Sequence, residues 1–101
     1  MTHEDQRRTL TSIPYLDGEL KIIITKEDCN LGNHYHEIKT EMFQLLKGSG
    51  TGVIDGHEFK LLTGNHYPVN QKQRHSFSLK KDSILFCICS HPYNPEDDYE
   101  Y

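Results

Sequence analysis

The chain has 101 residues, of which 35% are hydrophobic and 26% are charged, and its formal net charge at pH 7 is −4. This length predicts a single domain over residues 1–101, and it favours a homodimer because small polar domains often gain buried surface by association. The acidic balance argues against a nucleic-acid partner, and no apolar run approaches the roughly 18 residues that a membrane span needs.

In chain order, the apolar residues form short runs separated by turn signals. The runs are LTSIPYL, LKIIIT, MFQLL, GTGVI, EFKLL, HYPVN, HSFSL and SILFCIC. The turn signals are Asp17-Gly18, Gly32-Asn33, Gly48-Ser49-Gly50, Asp55-Gly56 and Thr63-Gly64-Asn65. Short strands separated by such turns about every ten residues are typical of an all-β sandwich or barrel. Residues 1–8 and 92–101 are expected to be flexible or peripheral, because the first segment is polar and the second is acidic and interrupted by prolines.

The segment LGNHYHEIKTEMFQLLKGSG places two histidines and a glutamate close together in the chain. Side chains alternate between the faces of a strand, so His34 and His36 are expected to point to the same side. Glu41 has the wrong parity for that side unless the strand is interrupted, and the polar residues 37–40 predict a turn there. A second strand that begins near Glu41 can place the Glu41 carboxylate on the same side as the two histidines. Two imidazoles and a carboxylate then form half of a metal coordination shell.

The strand that begins at Glu41 is predicted to have one inward and one outward face. Phe43 and Leu45 follow Glu41 inward, because they share its parity. The residues between them form a largely apolar outward face, on which a second copy of the chain is expected to pair. These outward residues are Met42, Gln44 and Leu46.

Two spaced motifs carry a resemblance to the cupin superfamily. The pattern His-x-His-x4-Glu-x6-Gly is similar to the first cupin motif, and it is satisfied by His34, His36, Glu41 and Gly48. The segment GNHYPVNQKQRH resembles the second motif and places His75 eleven residues after its first glycine. The departures from both motifs fall at turn positions and not at the expected ligands.

The resemblance implies a cupin-type jelly-roll β-barrel or sandwich that holds a metal ion. The implied ligands are His34, His36, Glu41 and His75. Imidazole-rich sites suit divalent first-row transition metals (Zn, Mn, Fe, Ni or Co), and three histidines with one carboxylate leave one or two positions open. A metal with an open position can polarise a carbonyl group, stabilise an enediolate or bind dioxygen.

Three short segments bear on the activity that the resemblance implies. The segments DQRRTLTSI, GNHYH and SHPYNPEDDYEY are similar to cupins that act on nucleotide-linked keto-sugars. This similarity implies isomerase or epimerase chemistry on a sugar-like carbonyl compound, and in a metal-free member His34 or His36 would be the catalytic acid and base. An iron-dependent dioxygenase at the same site and a non-catalytic cupin that binds or senses a small ligand are the alternatives. A phosphate-bearing sugar needs a basic cavity, for which the candidate cations are Lys39, Lys47, Lys72 and Arg74.

Two of the three cysteines, Cys87 and Cys89, share one face of a predicted strand. The pair can ligate a metal or form a strained disulfide, but it lacks a second pair, so buried apolar packing is the favoured interpretation. An odd number of cysteines and the lack of a signal peptide before the domain indicate a cytoplasmic protein. His57 and His91 follow turns and have no partner in either motif, so they are expected to be exposed.

Overall fold

The computed structural model describes residues 1–100, which fold into two antiparallel sheets packed face to face. The strands are β1 (Thr2–Glu4), β2 (Arg8–Tyr15), β3 (Gly18–Thr25), β4 (Cys29–Tyr35), β5 (Glu41–Lys47), β6 (Gly50–Ile54), β7 (His57–Lys60), β8 (His66–Val69), β9 (His75–Leu79), β10 (Ile84–Cys89) and β11 (Tyr99–Glu100). A short 3-10 helix covers Pro95–Asp97. One sheet has the order β1-β2-β3-β10-β5-β8, and the other has the order β11-β4-β9-β6-β7. The predicted all-β fold is confirmed.

The core lies between the two sheets, because each strand turns alternate side chains toward the facing sheet. In β5, Glu41, Phe43 and Leu45 are buried, whereas Met42, Gln44 and Leu46 lie on the other face, as the alternation predicts. The buried apolar core comprises Ile23, Phe43, Leu45, Leu61, Val69, Phe77, Leu79, Leu85, Cys87 and Cys89. Glu41 therefore begins an inward row that continues into the core.

The chain crosses from one sheet to the other between β4 and β5, and this crossing positions the polar cluster. β4 pairs with β9, whereas β5 pairs with β10 and β8 in the other sheet. The predicted interruption at residues 37–40 is confirmed, since β4 ends at Tyr35 and β5 begins at Glu41. His34 lies opposite His75 in the pairing of β4 with β9. One sheet thus contributes these two histidines and the other contributes the glutamate.

A bulge in β4 sets which way the histidines point. The register with β9 shifts between Gly32 and His34, where Gly32 and Asn33 both have positive φ angles of 98° and 65°. Leu31 packs against the core before the bulge, and an unbroken strand would place residues 33 and 35 on that inner side. The extra residue shifts the alternation, so that the even-numbered His34 faces inward.

The outer face of the six-stranded sheet carries several exposed apolar side chains. Ile24 on β3, Ile88 on β10 and Leu46 on β5 are 43%, 40% and 47% exposed. The strand pairing connects them, since Ile84 lies opposite Ile24 and Ile88 lies opposite Met42. This continuous face includes the outward row that the sequence predicts for β5.

Both end segments lie at sheet edges. β1 pairs with β2 and β11 pairs with β4, so each adds an outermost strand. Asp97, in the C-terminal segment, is buried and contacts the connection between β4 and β5. No helix within residues 1–100 has the length and apolar character needed to cross a membrane.

Candidate metal centre

The four side chains that the sequence identifies as metal ligands lie together at one end of the core. Each of them offers one donor atom, and these atoms all lie within 4.8 Å of one another. The four are His34, His36, Glu41 and His75, of which His34 is half-buried and the others are buried. Their role as metal ligands stays a prediction, for which this clustering is the structural basis.

The carboxylate of Glu41 is the centre of the cluster. Its Oε1 lies 3.1 Å from Nε2 of His36 and 3.3 Å from Nε2 of His75. Oε1 of Glu41 and Nε2 of His36 are buried, and neither has a hydrogen-bond partner among residues 1–100. Two ligands on one transition metal, with bonds of about 2.1 Å, lie roughly 3.0–3.4 Å apart. The spacing and the unsatisfied donor atoms both fit a metal ion bound here.

A hydrogen bond fixes the ring of His36. Its Nδ1 lies 2.7 Å from the backbone oxygen of Asp97, so Nδ1–H donates to that carbonyl. This bond leaves the lone pair of Nε2 directed at Glu41, which is the tautomer that metal ligation needs. The side chain of Asp97 accepts hydrogen bonds of 2.9, 3.0 and 3.1 Å from the backbone N–H groups of residues 37–39. The C-terminal segment, to which the sequence interpretation gives no such role, therefore orients a predicted ligand.

Replacing Asp97 by alanine is expected to lower the free energy of unfolding by about 2–4 kcal/mol, because three backbone N–H groups lose a charged acceptor. Chemical denaturation measures this loss. The affinity for Zn²⁺ should also fall by about 10–100-fold, since the hydrogen bond that orients His36 loses its support. Glu96→Gln is the matched control on the exposed side of the same turn. An Asp97→Ala protein with unchanged stability and Zn²⁺ affinity would contradict this role.

The second oxygen of Glu41 contacts the two cysteines of β10. The Sγ atoms of Cys87 and Cys89 lie 3.5 and 3.7 Å from Oε2, and 3.6 Å from each other. Both cysteines are free and buried, as the packing interpretation expects. They are more than apolar packing, however, because their S–H groups approach Oε2 of the carboxylate while the histidines approach Oε1.

The charges around the cluster shift several pKa values. Burial alone would raise the pKa of Glu41, but His36, His75 and the Lys39 ammonium outweigh it and hold this pKa well below its usual range. Burial, reinforced by the neighbouring His75, lowers the pKa of His34 to about 4. The carboxyl of Glu41 is therefore ionised and the ring of His34 neutral at neutral pH, which are the forms that bind a metal.

A cavity of about 130 Å³ opens beside the cluster, between the two sheets. His34, Glu41 and His75 line it, together with Cys87 and apolar core residues. The cations that line it are Arg8 and Lys21, from β2 and β3. The expectation that cavity cations would come from Lys39, Lys47, Lys72 or Arg74 is wrong, because none of these four lines the cavity. Lys39 is buried near Glu41 without lining the cavity, and the other three lie on exposed turns or strand ends.

The two histidines without a motif partner lie outside this site. His57 begins β7, His91 follows β10, and both are exposed, as predicted. Alternation within β3 is the sequence signal that would have found Lys21, since Glu19, Lys21, Ile23 and Thr25 form its inward row. No comparable signal identifies the backbone oxygen of Asp97.

The fold resembles solved structures, although comparisons of the sequence find no matching family model or curated protein. Capsular polysaccharide assembling protein CapF from Staphylococcus aureus has a TM-score of 0.87 at 19% identity, over 99% of this chain and 33% of that one. KdgF from Halomonas sp. has a TM-score of 0.80 at 13% identity, over 95% and 89% of the two chains.

A third similar structure is that of Pac13 from Streptomyces, a nucleoside dehydratase of which variants have been solved with uridine. Its TM-score is 0.76 at 10% identity, over 100% of this chain and 83% of that one. The present chain spans about a third of the length of the CapF structures. These similarities show the fold, and they confirm the predicted jelly-roll architecture of the cupin type.

Proposed function

We propose that this chain, which has a cupin-type fold, binds a divalent first-row transition metal and isomerises or epimerises a sugar-like carbonyl compound. The observation that carries the proposal is the buried Oε1 of Glu41, which lies 3.1 and 3.3 Å from two imidazole nitrogens at the wall of a cavity. The similar structures named for capsular polysaccharide assembly and nucleoside dehydration support a small-molecule substrate of this kind.

The proposed ligands are His34, His36, Glu41 and His75. Three nitrogen donors and one oxygen donor suit Zn, Mn, Fe, Ni or Co and do not suit the all-oxygen preference of calcium or magnesium. When bound, such a metal polarises a carbonyl oxygen and stabilises the negative charge that develops on it. The protein's part is to hold the donors in place, which the hydrogen bond from His36 to Asp97 does for one of them.

Proton transfer between neighbouring carbons is assigned to His34 when it is not coordinated. His34 is the histidine of the cluster that both lines the cavity and stays partly exposed, with 27% of its side chain accessible. Its ring is neutral at neutral pH and can accept a proton, and the carboxylate of Asp98, 3.6 Å from Nδ1, stabilises the protonated form. His36 is buried, with Nδ1 bonded to the backbone oxygen of Asp97 and Nε2 directed at Glu41, so the geometry supports a ligand role for it rather than an acid–base role.

Solvent deuterium incorporation tests this function. Metal-loaded protein incubated in D2O with a panel of keto- and aldo-sugars, without oxygen, should place deuterium on the carbon next to the carbonyl group of its substrate. In metal-free protein, where His34 is not coordinated, His34→Gln should slow the exchange by about 100-fold, in the range of a lost general base. Oxygen consumption with the iron-loaded protein would instead favour the dioxygenase alternative. Ligand binding without exchange or oxygen consumption would favour the non-catalytic alternative.

We further propose that the chain forms a homodimer through the apolar outer face of the six-stranded sheet. Light scattering at micromolar concentration should give a mass of twice 11.8 kDa. Leu46→Glu should raise the dissociation constant of the dimer by at least about 10-fold, because it places a charge on this face. Leu62→Glu is the matched control, since Leu62 has a similar exposure (51% against 47%) but lies after β7 in the other sheet. A monomer at all concentrations would contradict the proposal.

A reducing compartment such as the cytoplasm is the proposed location. Cys29, Cys87 and Cys89 are free thiols in the described structure, and all three are buried. The acidic net charge of −4 also fits the expectation that no nucleic acid is bound.

A further inference from the structure

The wall of the cavity that belongs to the six-stranded sheet carries two cations. Arg8 begins β2 and Lys21 lies within β3, and both side chains line the cavity. His34 and His75 come from the other sheet and line the same cavity. A small molecule in this space therefore contacts the candidate metal ligands and a cationic surface at once.

The guanidinium of Arg8 is poorly paired within residues 1–100, where its charge acts on the Asp5 carboxylate without forming an ion pair. Its Nε is buried and donates no hydrogen bond within residues 1–100, and its side chain forms no ion pair there. A charged donor that is removed from water without an acceptor is unfavourable, so its placement at a cavity wall points to an acceptor supplied by a ligand. Nε and one terminal nitrogen of a guanidinium match the two oxygens of a carboxylate.

Lys21 is only loosely paired. Its Nζ lies 3.6 Å from Oε1 of Glu19, which is too long for a hydrogen bond, and 5.9 Å from the ring centre of Tyr93. Oε1 of Glu19 also lacks a hydrogen-bond partner within the described chain. The ammonium group is thus held near the cavity by charge attraction, and its donors are free to turn toward a ligand.

The sum of these charges favours a ligand with a single negative charge. The charged side chains that line the cavity are Arg8, Lys21 and Glu41, whose formal charges sum to +1, whereas Glu19 lies beside Lys21 outside the lining. One carboxylate balances that charge, whereas the dianion of a phosphate monoester exceeds it. The cavity volume of about 130 Å³ is also below the range of roughly 300–1,000 Å³ that drug-sized ligands occupy. A compact acid, or the acidic end of a sugar, fits these limits.

We propose that the substrate of this site carries a carboxylate, which Arg8 and Lys21 bind while its carbonyl or hydroxyl oxygens reach the cluster of His34, Glu41 and His75. This inference rests on the proposed function and names its substrate class, an acidic sugar or a similar carbonyl acid. The carboxylate orients the molecule across the cavity, and the neutral sugars of the same size lack that anchor.

Calorimetric titration of Zn²⁺-loaded protein tests the inference, with D-glucuronate, D-glucose and D-glucose 6-phosphate as probes. D-glucuronate should bind at least 10-fold more tightly than D-glucose. Arg8→Gln should remove most of this difference without changing the affinity for D-glucose. Arg7→Gln is the matched control, because Arg7 is the exposed neighbour that pairs with Asp5, and it should bind all three probes as the wild type does.

Two further variants keep the test decisive if Arg8→Gln fails to fold. Arg8→Lys keeps the charge and loses the paired donors, so it should show an intermediate loss of D-glucuronate affinity. Glu19→Gln with Lys21→Met removes the ion pair as a unit and should also weaken D-glucuronate binding. Equal affinities for D-glucuronate and D-glucose would overturn the inference, as would a preference for D-glucose 6-phosphate that depends on Arg8. Zinc content measured on the same samples separates either result from a failure of the metal site.

Discussion

Alanine at His36 or at His75 is expected to lower the affinity for Zn²⁺ by more than about 100-fold. Both imidazoles direct Nε2 at the same buried oxygen of Glu41, at 3.1 and 3.3 Å. Changes that act only through a hydrogen bond to a ligand lower metal affinity by about 10–100-fold, and the loss of a ligand itself exceeds that range. Competition with a chromophoric chelator at neutral pH measures the effect.

The matched controls for this prediction are histidines outside the cluster. His57→Ala and His91→Ala remove exposed imidazoles and should leave Zn²⁺ affinity unchanged. Glu41→Gln separates charge from shape, because it nearly preserves volume while it removes the ionised oxygen, and it should weaken binding while the fold persists. A loss in His57→Ala as large as that in His36→Ala would show that the wrong residues have been identified as ligands.

The sequence predicts the strand content and most of the metal-ligand set for a simple reason. Alternation is a local property, so the shared side of His34 and His36 and the inward row after Glu41 follow from counting residues. The glycine that ends the first motif also meets a local requirement, since Gly48 has a φ of 96°, and a Cβ there would in addition lie 2.2 Å from Oγ of Ser83. His75 follows from the resemblance to the second motif.

What the sequence does not predict depends on contacts between distant parts of the chain. The backbone oxygen of Asp97 contacts the imidazole of His36, which lies 61 residues earlier in the chain. Every residue has a backbone carbonyl, so no sequence motif can identify this contact. Lys21 lies in the apolar run LKIIIT, where both alternate rows contain isoleucine, so alternation shows which residues share its row but not that this row faces inward. Local sequence patterns also do not predict the bulge before His34, although the turn signal Gly32-Asn33 marks the place where it occurs.

Acidification is expected to destabilise the metal-free protein between about pH 6.5 and pH 4. Burial and the nearby His75 lower the pKa of His34 from 6.5 to about 4, so in this window the unfolded chain binds a proton there that the folded chain does not. The free energy of unfolding therefore falls as the pH falls, by about 2–3 kcal/mol over the window. Protonation of Glu41 lowers the free energy of unfolding only at more acidic pH. A carboxyl with a depressed pKa loses its stabilising effect only below its ordinary value of 4.5.

Denaturant titrations of metal-free protein at a series of pH values measure this profile. His34→Gln should flatten it between pH 6.5 and pH 4.5, because the group that titrates is gone, whereas His57→Ala should retain the wild-type slope. The Zn²⁺-loaded protein should lose its metal below about pH 5.5 with uptake of protons, since only neutral imidazoles bind a metal. A His34→Gln profile identical to that of the wild type in this window would contradict the prediction. It would mean that the ring of His34 is equally easy to protonate in the folded and unfolded chains.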